Sequence, residues 1–236
     1  MLIADEAHHF GAEQRRRFYP QAIKKRLALS ATPERWHDEV GTTALTDYFG
    51  TTVYRLSLAD AIERKILTPY YYYPVLVELT AEEMGTYRDL SGRIGRLLAQ
   101  RRDRDDKQLS MLLIERANLL NTAENKIETL EALLPKASAV MHTLIYCAPG
   151  QIDIVMEKVG YERRIRAHRF TAHEDAKTRQ ELLGRFDRGD LQALAAIRCL
   201  DEGVDVPSTR TAYLLASSSN PREFIQRRGR VQRQAV

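Results

Sequence analysis

Several things are scarce in this chain, and each scarcity narrows what it can be. Two cysteines, Cys147 and Cys199, stand in 236 residues, each in an apolar run and not in C-x-x-C spacing. Such a pair supports neither a zinc site nor a disulfide framework, so a reduced compartment and a core role are expected. No apolar run approaches the ~18 residues that cross a bilayer. The amino terminus carries Asp5 and Glu6 and no basic stretch, so no signal peptide is expected and the chain reads as cytoplasmic. His8 and His9 have no H-E-x-x-H spacing around them, which removes the usual helical zinc motif. No Gly-Lys dipeptide occurs anywhere, and the nearest approach to G-x-x-x-x-G-K-[ST], "TAHEDAKT" (171–178), has Thr171 where the first glycine is required. A phosphate-cradling loop of that kind is therefore not in this sequence.

What is present is an ordinary globular composition, 44% hydrophobic and 29% charged, long enough for one large or two small domains at ~150 residues each. The net charge is +4. The basic residues come in runs: Arg15, Arg16 and Arg17; Lys24, Lys25 and Arg26; Arg163, Arg164 and Arg166; and Arg222, Arg227, Arg228, Arg230 and Arg233. One such run is usually a solvated face, but several on one chain point towards a polyanion partner.

The pattern along the chain alternates. Residues 2–4 and "RLALSAT" (26–32) read as strands ending in polar residues, and "TVYRLS" (52–57) as a third. Ser57 caps a helix through "LADAIERKIL" that Pro69 ends. "YYYYPVLVEL" (70–79) reads as an edge strand or bulge, because Pro74 cannot donate to a ladder. Thr80 and Glu83 form a capping box opening a helical stretch, 81–134, broken by "RRDRDDK" (101–107), for two or three antiparallel helices. Then "HTLIYCA" (142–148), "RAHRF" (166–170), "LQALAAI" (191–197) and "TAYLLAS" (211–217) read as strands. Between them lie a helix over 150–160, with Gly160 just past its end, and one capped by Thr171 and Glu174 that runs to about Asp187. Asn220, Pro221 and Glu223 suit the N-cap, N1 and N3 positions of a last helix. Strands alternating with helices of about a dozen residues predict βαβ units and a parallel sheet, an α/β fold.

In open α/β sheets the functional groups sit outside the carboxyl ends of the strands. Four polar stretches fall there or on an adjoining helix: Asp5-Glu6; Ser30-Ala31-Thr32; "RCLDEGVDVPS" (198–208); and "QRRGRVQR" (226–233). In the order DEAH, SAT, DEGVDVPS, QRRGRVQR they resemble the superfamily-two helicases and translocases. The likeness is closest to the DEAD/DEAH-box branch of DNA-repair and restriction systems, and covers nearly the whole chain. "LSATPER" and "LLASSSNPREFIQRRGRVQR" strengthen it. Relatives often carry Thr-Asp where this chain has Ile197-Arg198.

The resemblance implies ATP and Mg²⁺ as cofactors, double-stranded DNA as partner, and roles for particular residues. Asp5 would hold Mg²⁺ through water and Glu6 would be the general base. Arg230 and Arg233 would reach the γ-phosphate, a task suited to a planar, always-charged, bidentate group. Gln226, Gly203 and Asp205 would serve the nucleotide side, and His8, Ser30 and Thr32 would couple ATP state to domain closure. The expected layout is the carboxyl-terminal part of a first RecA-like domain (1–68), a crossover with a helical insert (69–135) and a second RecA-like domain (136–236). The phosphate-binding loop would precede Asp5 or be supplied by a separate chain, so the chain by itself is expected to be inactive. The reading from another class is a pseudo-helicase that binds nucleic acid without turnover.

Overall fold

The computed structural model describes residues 1–34, 38–100, 107–197, 206 and 208–216. They fall into two compact units, dividing between Leu67 and Thr68.

The first unit is built on two short parallel strands, β1 (Leu2–Ala4) and β2 (Arg26–Ala28), with Leu2 opposite Arg26 and Ala4 opposite Ala28. Between them the chain makes a 3-10 turn (Ala7–Gly11) and a single α-turn, α1 (Glu13–Arg16). Helix α2 (Glu39–Phe49) starts at Asp38, whose carboxylate accepts the Gly41 N–H at 2.7 Å. Arg26 ties β2 to α2: its guanidinium donates to the Ile23 and Tyr48 carbonyls at 2.6 and 2.9 Å and lies 3.9 Å over the Tyr48 ring. Helix α3 (Leu58–Glu63) has the Ser57 cap, with Asp60 completing a reciprocal box. It ends at Glu63, short of the expected Leu67. Lys65 takes φ 58°, and the Lys65 and Ile66 amides turn back to the Ile62 and Ala61 carbonyls. That is a Schellman closure with lysine in the left-handed position, so Pro69 is not what stops the helix.

The strand expected over 52–57 is absent: those residues are irregular, and Val53 is 89% exposed. The expected edge strand over 70–79 is likewise not formed, and Leu76 is 98% exposed. Both segments have β-prone side chains, but β-propensity measures fit to a half-buried pleated surface, and among the described residues neither has a neighbouring strand to supply one.

The second unit begins with three helices. Helix α4 (Ala81–Gln100) carries the Thr80–Glu83 capping box, and packs antiparallel against α5 (Lys107–Asn121) through Leu90, Ile94, Leu109 and Leu112. Arg116 closes that pair, reaching Ser91 at 3.3 Å and lying over the Tyr87 ring. Helix α6 (Asn125–Leu133) leads into a four-stranded parallel sheet of β3 (Thr143–Tyr146), β4 (Ala167–Phe170), β5 (Ala193–Ala196) and β6 (Thr211–Leu214) in the order β4-β5-β3-β6. The pleat sends alternate side chains to opposite faces. Ile145, Ala193 and Ala195 meet Ile127 and Leu130 of α6 and Ile152 and Val155 of α7 (Ile152–Met156). Leu144, Tyr146, Leu194 and Ala196 meet Leu182 and Phe186 of α8 (Ala176–Asp187) on the other face. β3 and β5 are buried throughout, as strands covered on both faces must be. The α/β parallel architecture read from the sequence is what is found.

Three local expectations change. α7 runs on as a π-helical stretch over Glu157–Glu162, so Gly160 lies inside the coil and not past its end. The wider winding closes at Arg164, φ 55°. The cap of α8 is Asp175, whose carboxylate takes the Thr178 N–H at 2.7 Å. The Thr171 N–H and hydroxyl both donate to Glu174 Oε2, at 2.6 and 2.8 Å, and the His173 N–H returns to Thr171 Oγ1, so these residues form the turn before the cap. Finally, the run Arg163, Arg164, Arg166 is not one free basic face. Arg163 donates to the Glu131 carbonyl, and Arg166 to those of Asp190 and Gly189 at 2.9 and 3.2 Å. The last expected helix, with Asn220, Pro221 and Glu223, lies outside the described residues.

Candidate functional site

At the carboxyl end of β1 the chain turns sharply. Asp5 is exposed, and its Oδ1 accepts the Glu6 N–H at 2.9 Å. Glu6 sits at φ 45°, ψ 48°, the left-handed region, which costs a non-glycine residue energy and recurs where function needs a particular side-chain direction. Glu6 stands at the N-cap position of the 3-10 turn, yet its side chain caps nothing. The turn carries His8 inward, to 2% exposure. Two oxygens face its Nδ1 at 3.3 Å, Ser30 Oγ and Glu6 Oε2. The contact with Ser30 Oγ is a hydrogen bond whose direction follows the imidazole tautomer, and the one with Glu6 is a close approach of carboxylate to ring nitrogen.

Ser30 stands just past β2, and its Oγ also takes the Thr32 N–H at 3.2 Å. The two strand ends are further joined by the Ala7 N–H to the Leu29 carbonyl at 2.9 Å and the Leu29 N–H to the Ala4 carbonyl at 2.8 Å. Glu6, His8, Ser30 and Thr32, singled out from sequence stretches more than twenty residues apart, thus form one connected group beside Asp5. The His9 ring lies 4.1 Å from that of His8, tilted by 44°, a contact that no spacing rule announced.

Among the described residues no group of three or more His, Cys, Asp or Glu could enclose a metal ion. Mg²⁺ keeps several waters and takes one or two carboxylates plus substrate phosphates. Asp5, exposed and with one oxygen steadied by an amide, is a suitable single carboxylate.

Gly203, Asp205, Gln226, Arg230 and Arg233 lie outside the described residues. At the carboxyl edge of β3 the structure adds a residue that was not singled out. Gln151 is 5% exposed, and its Oε1 has no hydrogen-bond partner among the described residues. Its only sequence signal is a polar side chain between a strand end and an apolar helix start.

Comparison with known proteins gives a consistent picture. Residues 125–235 match the helicase conserved C-terminal domain family. The chain is similar to the DNA 3'-5' translocase XPB2 of Sulfurisphaera tokodaii, at 26% identity over 99% of this chain and 55% of the relative. It is also similar to putative helicase 22 of a Sulfolobus islandicus filamentous virus, at 25% identity over 99% of this chain and 40% of the relative. The chain therefore spans about half the length of these curated relatives. Its fold resembles the crystal structure of the Pyrococcus furiosus Hef helicase domain, with a TM-score of 0.54 at 15% identity over 99% of this chain and 69% of the other. Residues 125–235 thus match the helicase conserved C-terminal domain family, and over nearly its whole length the chain is similar to a DNA translocase and a putative helicase, as the order of its polar stretches implied.

Proposed function

We propose that this chain forms part of an ATP-dependent translocase that moves on double-stranded DNA, with Asp5 and Glu6 on the hydrolytic side and Gly203, Asp205, Gln226, Arg230 and Arg233 serving the nucleotide. The observation that carries the reading is the connected group Glu6–His8–Ser30. The carboxylate that would orient the attacking water touches a buried imidazole, and that imidazole is bonded to the loop after the neighbouring strand. Such a linkage suits a residue that must report nucleotide state to the rest of the molecule.

Glu6 accepts the proton of the attacking water, and its left-handed backbone aims the carboxylate off the strand end. His8 holds Glu6 and Ser30 in register, and Thr32 is tied to the same hydroxyl. Mg²⁺, held through water by Asp5, would draw charge from the transferring phosphoryl group. Arg230 and Arg233 would meet the growing charge on the γ-phosphate, with Gln226, Gly203 and Asp205 as neighbouring contacts. DNA as partner is supported by the translocase relative, and by the Lys24 and Lys25 ammonium groups, which make no internal bond among the described residues.

Because no G-x-x-x-x-G-K-[ST] segment is present, the chain on its own should release phosphate from ATP negligibly, with or without duplex DNA. The same observation favours the second reading, a nucleic-acid-binding module without turnover. Joining the chain to the phosphate-binding half of a related translocase separates the two. DNA-stimulated phosphate release that disappears in Glu6→Gln supports the enzyme reading. Arg230→Ala and Arg233→Ala should each lower turnover by roughly 10³-fold or more, as loss of a transition-state arginine does. A folded chimaera that binds duplex DNA but shows no turnover would leave the binding module.

A further inference from the structure

Lys126 is a charged group that the nucleotide-side assignment does not use, and the fold spends it on one particular carbonyl. It stands in the first turn of α6, and its Nζ donates to the Leu215 carbonyl at 2.6 Å, across 89 residues of sequence. Leu215 is the first residue after β6. Its amide, and that of Ala216, go to the Tyr146 carbonyl at the end of β3, at 2.8 and 3.3 Å. The point where the chain leaves β6 is therefore gripped on one side by the sheet and on the other by α6.

The same first turn of α6 is bolted to the base of the α4–α5 hairpin. Glu83 uses both carboxylate oxygens: Oε2 takes the Thr80 N–H and Oε1 the Glu124 N–H, each at 2.9 Å. Asn125 Nδ2 adds a bond to the Glu78 carbonyl at 2.9 Å. Burial pushes the Lys126 ammonium below the usual lysine range, and the negative charge of Glu83 works against that shift. Burying an ammonium is costly unless it is paired and hydrogen-bonded, and an apolar side chain would fill this space at lower cost. Lys126 has both a counter-charge and an acceptor, and the acceptor belongs to the strand exit.

We infer that Lys126 is a positioning residue. With Glu83 it locks the base of the helical hairpin to the exit of β6, so that the two move together.

Hydrogen exchange on the full chain tests the coupling without ATP or DNA, so its outcome is independent of the proposed activity. Lys126→Met should speed exchange at the Leu215 and Ala216 amides about tenfold, the scale of losing a hydrogen bond to a charged group. Amides of Ala193–Ala196 should be unchanged. Glu83→Gln, a change at the hairpin base, should speed the same two amides as well as Glu124. Lys126→Arg, which keeps charge and donor, should restore protection. The inference is overturned if Glu83→Gln alters Glu124 alone. It is equally overturned if Lys126→Met accelerates the whole unit evenly and Lys126→Arg fails to rescue, since that is loss of stability and not of position.

Discussion

The two parallel sheets of this chain share a local grammar and differ in what surrounds them. β1 and β2 pair in regular register, but Ile3 is 54% exposed and Leu27 41%. In the sheet of the second unit, every residue of β3 and β5 is buried, with α6 and α7 on one face and α8 on the other. An apolar strand is thus held in register by its ladder, while its contribution to stability depends on layers that cover it. The polar chemistry follows the opposite logic. The first unit, poorer in core, has the connected Glu6–His8–Ser30 group, where the second invests its polar groups in caps and locks.

The largest expected contrast is in resistance to cleavage. Limited proteolysis should leave the four-stranded sheet with α6, α7 and α8 in the surviving core and nick the first unit early, along with the exposed segments at 52–57 and 70–79. Survival of 1–67 with loss of the four-stranded sheet would reverse the comparison.

Point substitutions sharpen it. Leu194→Ala should cost about 2–5 kcal/mol in chemical denaturation, the range for truncating a fully buried leucine. Leu27→Ala, on a half-open face, should cost well under 1 kcal/mol, as exposed substitutions generally do. Similar costs at the two sites would show that the first sheet is covered in solution.

A smaller effect separates two adjacent arginines. Arg163→Ala removes the bond to the Glu131 carbonyl and should cost on the order of 1 kcal/mol. Arg164→Ala should leave thermal stability near that of the parent. If Arg164 meets a phosphate backbone, its loss weakens duplex DNA binding and reduces the salt dependence. Melting curves, together with DNA affinity at several salt concentrations, check both.

The smallest effect is in pH. Burial pushes Glu83 and Glu174 upward, but amide and hydroxyl bonds outweigh it and hold both carboxyls below 4.5; the Thr178 amide holds Asp175 below 3.8. In the first unit the Ser57 hydroxyl likewise holds Asp60 down. A carboxyl lowered in the folded state stabilises above its unfolded pKa, and that stability is lost as pH falls through the folded value. Melting temperature should therefore be flat from pH 7 to 5 and fall below about 4. Asp175→Ala, Glu174→Gln and Asp60→Asn should each flatten that fall.

Much of the fold was readable because it is decided locally. Ser57, Thr80 and Asp60 act on amides within three residues, and such bonds need only the right side chain beside a helix start. The apolar runs at 143–146 and 193–196 announced buried strands by composition alone. Of the candidate site, Glu6, His8, Ser30 and Thr32 were legible as types at strand ends, because the carboxyl edge of a parallel sheet is where such groups collect.

Other features depended on residues distant in sequence, and only the tertiary structure decided them. The β-prone runs at 52–57 and 70–79 did not become strands, because a strand needs a neighbour and no local rule supplies one. The basic run at 163–166 was divided by the carbonyls of Glu131, Gly189 and Asp190 into bonded and free guanidinium groups. Whether Thr171 or Asp175 caps α8 turned on where the loop from β4 delivers the chain. The amino-acid sequence by itself determined the alternating α/β pattern, the helix starts and the order of the polar stretches, since each rests on bonds between near neighbours. That His8 meets Ser30, and that Lys126 meets the Leu215 carbonyl, was decided by strand register and helix packing, which bring together groups 22 and 89 residues apart.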